Sequence, residues 1–150
     1  MPFSNVAIYE QIVRESYAEM VSVTERGRTL KDDGSGFIIT YDKSHTSFKK
    51  SMIVVTFSGM WVEAIFHLFM VKNHSKNQFS KYEKDSYKEK LKRLGITDSS
   101  VLDYAEKFQK TRNELIHEKA FMDKGEIKLA QAEAEIAYKI VDHVSTCVAI

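Results

Sequence analysis

The sequence predicts an all-α protein, an up-and-down bundle of four to five helices folded as one domain over residues 1–150. Three observations carry this. Pro2 is the only proline, and six glycines in 150 residues leave few breaks in the chain. Hydrophobic residues make up 43% and charged residues 29% of the chain, the balance of a soluble globular domain rather than a disordered tail. Apolar residues recur at helical spacing over most of the length, and a chain of this size buries a core without staples.

The first helix is expected over about Asn5 to Thr29, with Ser4 as N-cap and an inner stripe of Ile8, Ile12, Tyr17, Met20 and Val23. Lys31–Gly36 reads as a break. Phe37–Tyr41 has strand composition but no evident partner, so it is expected to be a loop or the lead-in to helix two. Helix two is expected over about Ser47 to Asn73. Its stretch from Met52 to Val71 is apolar nearly all round, which marks either a bundle centre or a membrane span. Glu63 in mid-stretch would cost ~3 kcal/mol or more in a bilayer, so the bundle centre is the better reading and no membrane association is expected.

A third helix is expected over roughly Lys81 to Leu94, stopping at Gly95. Thr97–Ser99 then caps a fourth, which carries Val101, Ala105, Phe108, Arg112 and Leu115 along one stripe and ends between His117 and Met122. After a turn at Asp123–Gly125, a fifth helix is expected from about Glu126 to Val148, with Ile127, Ala130, Ala134, Ala137, Val141 and Val144 facing inward.

Net charge is +1, too small for a strong basic field. The charge is unevenly spread. Lys72–Arg93 holds eight Lys/Arg against three Asp/Glu, whereas Asp98 to the end holds seven against ten. The basic segment suits a polyanion, but the plainer reading is a solvated helix face. Cys147 is the single cysteine, and no Cys/His cluster has zinc-site spacing, so no metal and no cofactor are expected. The N-terminal residues lack a basic stretch followed by an apolar one, so a cytoplasmic protein is expected.

The candidate chemistry lies in Arg112–His117. Cleaving RNA without a metal asks little of a protein, because the 2′-hydroxyl of the substrate is the nucleophile. A histidine can move a proton near neutral pH. A planar, permanently charged guanidinium can hold two oxygens of a phosphorus centre gaining charge. Arg112 and His117 supply that minimum set. On a straight helix, positions i and i+5 stand about 140° apart, so the two would not share a face. A helix end near His117, or a two-fold dimer that doubles both residues in one cleft, would reconcile them. An arginine in an apolar stripe also needs an answer to its charge: a carboxylate, a second subunit or a ligand. Pairing of Arg112 with Glu63 or Glu106, and helix capping by His117, are the plain alternatives.

The run Arg112-Asn113 to His117 resembles the R-x(4–6)-H motif of the HEPN superfamily, including the polar residue after the arginine. The order of elements from about Ser47 to the end is similar as well. The resemblance implies a helical bundle that dimerises through its motifs. It implies a metal-independent ribonuclease of the toxin–antitoxin, phage-defence or RNA-processing kind, or else a relative that has lost catalysis and binds nucleotides or protein partners. Arg112 would stabilise phosphate charge, His117 would act as general acid or base, and Asn113 would position the phosphate. Glu63 would orient Arg112, as acidic residues of this helix do in some relatives. HEPN toxins paired with nucleotidyltransferase-type antitoxins often carry a tyrosine two residues past the histidine. Lys119 stands there in this chain, so the resemblance does not extend to that pairing. Lys107 and Lys110 flank the motif as candidate RNA contacts, although solvated lysines are the simpler reading. Glu63 and His67, at i and i+4, are two ligands at most and make a weak metal site. His45, His74 and His143 read as surface residues, and Trp61, Phe66 and Phe69 as core.

Overall fold

A computed structural model describes residues 4–40, 42–116 and 128–149. Among these the chain forms α1 (Asn5–Arg26), β1 (Arg28–Leu30), β2 (Phe37–Ile39), α2 (Thr46–Asn73), α3 (Lys76–Tyr82), α4 (Tyr87–Arg93), α5 (Ser99–Ile116) and α6 (Lys128–Cys147). The fold class is the one expected, all-α in its body.

The expected lone strand has a partner. Phe37–Ile39 pairs antiparallel with Arg28–Leu30 in the register Arg28↔Ile39, Thr29↔Ile38 and Leu30↔Phe37. Arg28 and Thr29 thereby leave the expected first helix, which stops at Arg26. The reason is local. Thr40 donates its N–H to the Gly27 carbonyl (2.8 Å), and a Cβ on Gly27 would overlap the Thr40 carbonyl. Only glycine admits that approach.

Ser4 caps α1 as expected, its hydroxyl accepting from Val6 N–H (3.2 Å). The buried face of α1 is turned from the expected stripe. Met20 of that stripe is buried and Tyr17 packs against the core, but Val6, Val13 and Ser16 are buried as well, while Ile8 lies outside. Helix two begins within one residue of its expected start. Asp42 accepts from the backbone N–H of Thr46 and from the hydroxyls of Ser44 (2.8 Å) and Ser47 (3.1 Å). The Ser44 hydroxyl first, then the Thr46 N–H, hold its carboxyl well below the usual range.

Of the expected third helix only α4 and the last two residues of α3 are helical, and most of α3 precedes the expected start. Ser75 caps α3 and Ser86 caps α4, and Tyr87 donates its backbone N–H to Gln109 Oε1 on α5 (2.8 Å). That tertiary bond turns the chain at Tyr87, so the basic segment does not run as one rod.

α2 is the interior of the molecule. Its most apolar 18 residues average a mean hydropathy of 1.7, and by length and composition it could cross a bilayer. In the fold, Trp61, Val62, Ile65 and Phe66 are buried at 0–1% exposure. Each such side chain contributes about 1.5–3 kcal/mol of burial. α1 lies antiparallel to α2, with Met20 beside Ser51 and Tyr9 tilted against Phe57. α6 closes the other side, where Arg14 donates to Asp142 (2.8 Å) and Ser145 (2.9 Å) and Tyr17 stacks on Tyr138. The expected stripe of α6 is buried from Ala130 to Val144, and Ile127 lies outside the described residues.

Candidate functional site

α5 delivers Arg112. Asp98 caps the helix by accepting from Val101 N–H (3.1 Å). Val101, Ala105 and Phe108 then pack their stripe into the core at 0–6% exposure. The next position of that stripe is an arginine, so its aliphatic stem is drawn inward with the apolar residues before it.

The stem passes α2 at Gly59. A Cβ on that residue would overlap Nε and Cδ of Arg112 and stand 2.9 Å from its Cζ. Gly59 is therefore a notch in α2 through which the arginine reaches the far side. Beyond the notch the guanidinium carbon lies 5.7 Å from the ring centroid of Tyr87. Tyr87 in turn stacks on Phe108, with centroids 5.6 Å apart and planes at 23°. Among the described residues neither Arg112 Nε nor the Tyr87 hydroxyl finds a hydrogen-bond partner, although both atoms are buried. Burial, more than any charge, pushes the Tyr87 hydroxyl well above the usual tyrosine range.

The expected carboxylate partners of Arg112 are engaged elsewhere. Glu63 binds Lys90 of α4 through both oxygens (2.7 and 2.9 Å), and Glu106 binds Lys88 (3.1 Å). The expectation that Glu63 orients Arg112 is corrected accordingly: its carboxylate is held by Lys90, and among the described residues Arg112 forms no ion pair. Lys72, Lys76, Lys81, Lys84, Lys92 and Arg93 are exposed, as a solvated face requires, and Lys90 is the buried exception in the basic segment. Its side chain is 3% exposed, with the ammonium 5.7 Å from the Phe66 ring centroid and 5.9 Å from that of Tyr87.

Arg112 and Glu63 nonetheless meet in one place. Both line a cleft of about 490 Å³ between α1, α2 and α3, together with Ser4–Val6, Tyr9, Met60, His67, Leu68 and Phe79. His67 is exposed at its rim and stands edge-on to Phe79, centroids 4.6 Å apart. Asn113 is exposed and does not line the cleft, and Lys107 and Lys110 are exposed on α5. His117 lies outside the described residues. Among the described residues no group of three His, Cys, Asp or Glu side chains gathers. His45 and His74 are on the surface as expected and Trp61 is core, while His143 is half-buried beside Cys147.

Three residues that shape this site escaped the sequence reading. Tyr87 and Lys90 sit three apart on the inward side of a helix that looked like part of a charged rod. Gly59 looked like a simple interruption of apolar sequence. Its role predicts an unusual substitution result. Gly59→Ala gains up to about 1 kcal/mol of helix propensity, so the variant should melt within a few degrees of wild type. The added methyl expels the arginine stem, so any activity that depends on Arg112 should fall nearly as far as in Arg112→Ala. Parallel melting curves and activity assays check the pair, and a Gly59→Ala variant that keeps any Arg112-dependent activity would refute the notch.

The chain matches no protein-family model, no curated protein and no solved structure.

Proposed function

We propose that this protein is a homodimeric, metal-independent endoribonuclease of the HEPN kind, with Arg112 and His117 as its catalytic residues. The observation that carries the reading is the guanidinium of Arg112, threaded through α2 to a cleft and given no carboxylate by the described residues. A buried or half-buried cation left in that condition suits an anionic ligand. RNA phosphate is the anion that the adjacent Asn113 and His117 can also serve.

In the proposed reaction the 2′-oxygen attacks phosphorus and the bond to the 5′-oxygen breaks. The products are a 2′,3′-cyclic phosphate and a 5′-hydroxyl. Arg112 binds the non-bridging oxygens as their charge grows. One His117 accepts the 2′-hydroxyl proton, and a second, brought by the two-fold axis of a dimer, returns a proton to the leaving oxygen. Asn113 steadies the phosphate. The exposed Lys107 and Lys110 extend positive charge along α5 for the RNA backbone. A cytoplasmic setting, in a toxin–antitoxin or phage-defence system with an antitoxin or other protein partner, is consistent with this chemistry.

The net charge of +1 favours a second reading, since tight non-specific RNA binding draws on a basic surface. On that reading the same fold binds nucleotides or a protein partner without catalysis. The deciding assay is wild-type protein on mixed RNA in excess EDTA, with the ends of the fragments identified. Cleavage with cyclic-phosphate ends is expected. Intact RNA across a range of substrates, or cleavage that stops with EDTA, would overturn the ribonuclease proposal.

A further inference from the structure

The cleft holding Arg112 is two-sided in its chemistry. One side is charged. Lys90 binds both oxygens of Glu63, so that carboxylate is already answered, and Arg112, which also lines the cleft, forms no ion pair among the described residues. The first turn of α1, Ser4–Val6, also lines the cleft and adds the partial positive charge of a long helix start. The remaining lining is aromatic and apolar: Phe79, which stands against His67, Tyr9, which stands by Phe57, and Met60 and Leu68. At about 490 Å³ the cleft is within the usual span of ligand sites, about 300–1,000 Å³. One phosphate needs only the charged side. A lipid chain or an apolar peptide needs only the other. A nucleotide, with a phosphate at one end and a flat π-face at the other, uses both.

We infer that this cleft is a subsite for one nucleotide of single-stranded RNA, its phosphate on Arg112 and its base against Phe79. This deepens the ribonuclease reading and rests on it for the choice of RNA. The subsite adds a base-binding surface on α3 that the Arg/His motif does not contain. Stacking tolerates any base, so the subsite would confer grip on an unpaired nucleotide rather than sequence specificity. It would also favour unpaired over duplex RNA, because a paired base cannot turn its face to the cleft.

The test is calorimetric titration of the full chain with three probes: adenosine 5′-monophosphate, adenosine and inorganic phosphate. The monophosphate should bind at least about tenfold more tightly than either fragment. Phe79 is half-buried and its ring lies 6.1 Å from that of the buried Phe66, so melting curves accompany the titrations of its variant and only folded protein is compared. Phe79→Ala should weaken the monophosphate roughly tenfold, the scale of one base–aromatic stack, and leave inorganic phosphate unchanged. Arg112→Ala should lose both. Equal affinity for phosphate and monophosphate would overturn the base-binding side, and no binding of the monophosphate would overturn the site. RNA that stays intact while the monophosphate binds as expected would refute the ribonuclease and leave the nucleotide subsite standing. RNA cleavage by a protein that does not bind the monophosphate would do the reverse.

Discussion

Replacing Arg112 by alanine is expected to lower RNA cleavage by about 100-fold or more, the usual loss when one donor to a transition-state oxyanion is removed. The fold should survive. The aliphatic stem of Arg112 fills the notch at Gly59, so truncation loses some packing. It also removes a buried Nε that has no hydrogen-bond partner among the described residues, and relief of that desolvation works in the opposite direction. The two effects offset, and the melting temperature should move by only a few degrees. Arg112→Lys should fall between wild type and alanine, because an ammonium keeps the charge but loses the planar, two-pronged grip. His117→Ala should lose roughly 100- to 10,000-fold, the contribution of a positioned acid or base. Initial rates in EDTA beside circular dichroism melts check the set. Full activity in either alanine variant would rule out the Arg/His mechanism.

The largest stability effect is expected at Glu63. Lys90 is all but sealed from water, and the Glu63 carboxylate is its only anionic partner among the described residues. Glu63→Ala leaves that ammonium buried and uncompensated. Breaking a buried pair in this way costs about 3–5 kcal/mol, and the 42% exposure of Glu63, which lets water reach the gap, places the expectation near the lower end. Lys90→Met should be close to neutral. It replaces the cation with an apolar chain of similar length against Phe66 and Tyr87, and it frees Glu63 to hydrate. The double variant should therefore recover most of the stability that Glu63→Ala loses. Urea midpoints for the four proteins give the cycle. Equal losses in Glu63→Ala and the double variant would mean that the pair contributes nothing and that Glu63 acts through other contacts.

The fold class was legible because helical periodicity is a local signal and few residues interrupt it. The stripes of α5 and α6 were read correctly for that reason. The hairpin was not legible. Arg28–Leu30 carries no break of its own, and its strand character exists only because Phe37–Ile39 folds back onto it. The division of α3 from α4 was hidden as well. Residues 83–86 contain no glycine or proline, and Gln109 on α5, far along the chain, supplies the bond that starts α4. The buried face of α1 is turned from the expected stripe because α2 and α6 together decide which residues are covered.

The site divides in the same way. That Arg112 needs an answer to its charge follows from its place in an apolar stripe. Which groups surround it does not, since Tyr87 and Lys90 arrive from another element and Gly59 acts by lacking a side chain.

That lack has an evolutionary consequence. Positions 59 and 112 are one decision made at two places in the gene. On the proposed mechanism, a side chain at 59 is expected to be selected against while the arginine is kept, despite the helix stability that alanine would add in mid-helix. Once the arginine is lost, that restraint is lifted and the glycine is free to drift. A descendant that had abandoned this chemistry would carry the record in α2 as well as in the motif, and the alanine at 59 would be expected to follow the loss, not precede it.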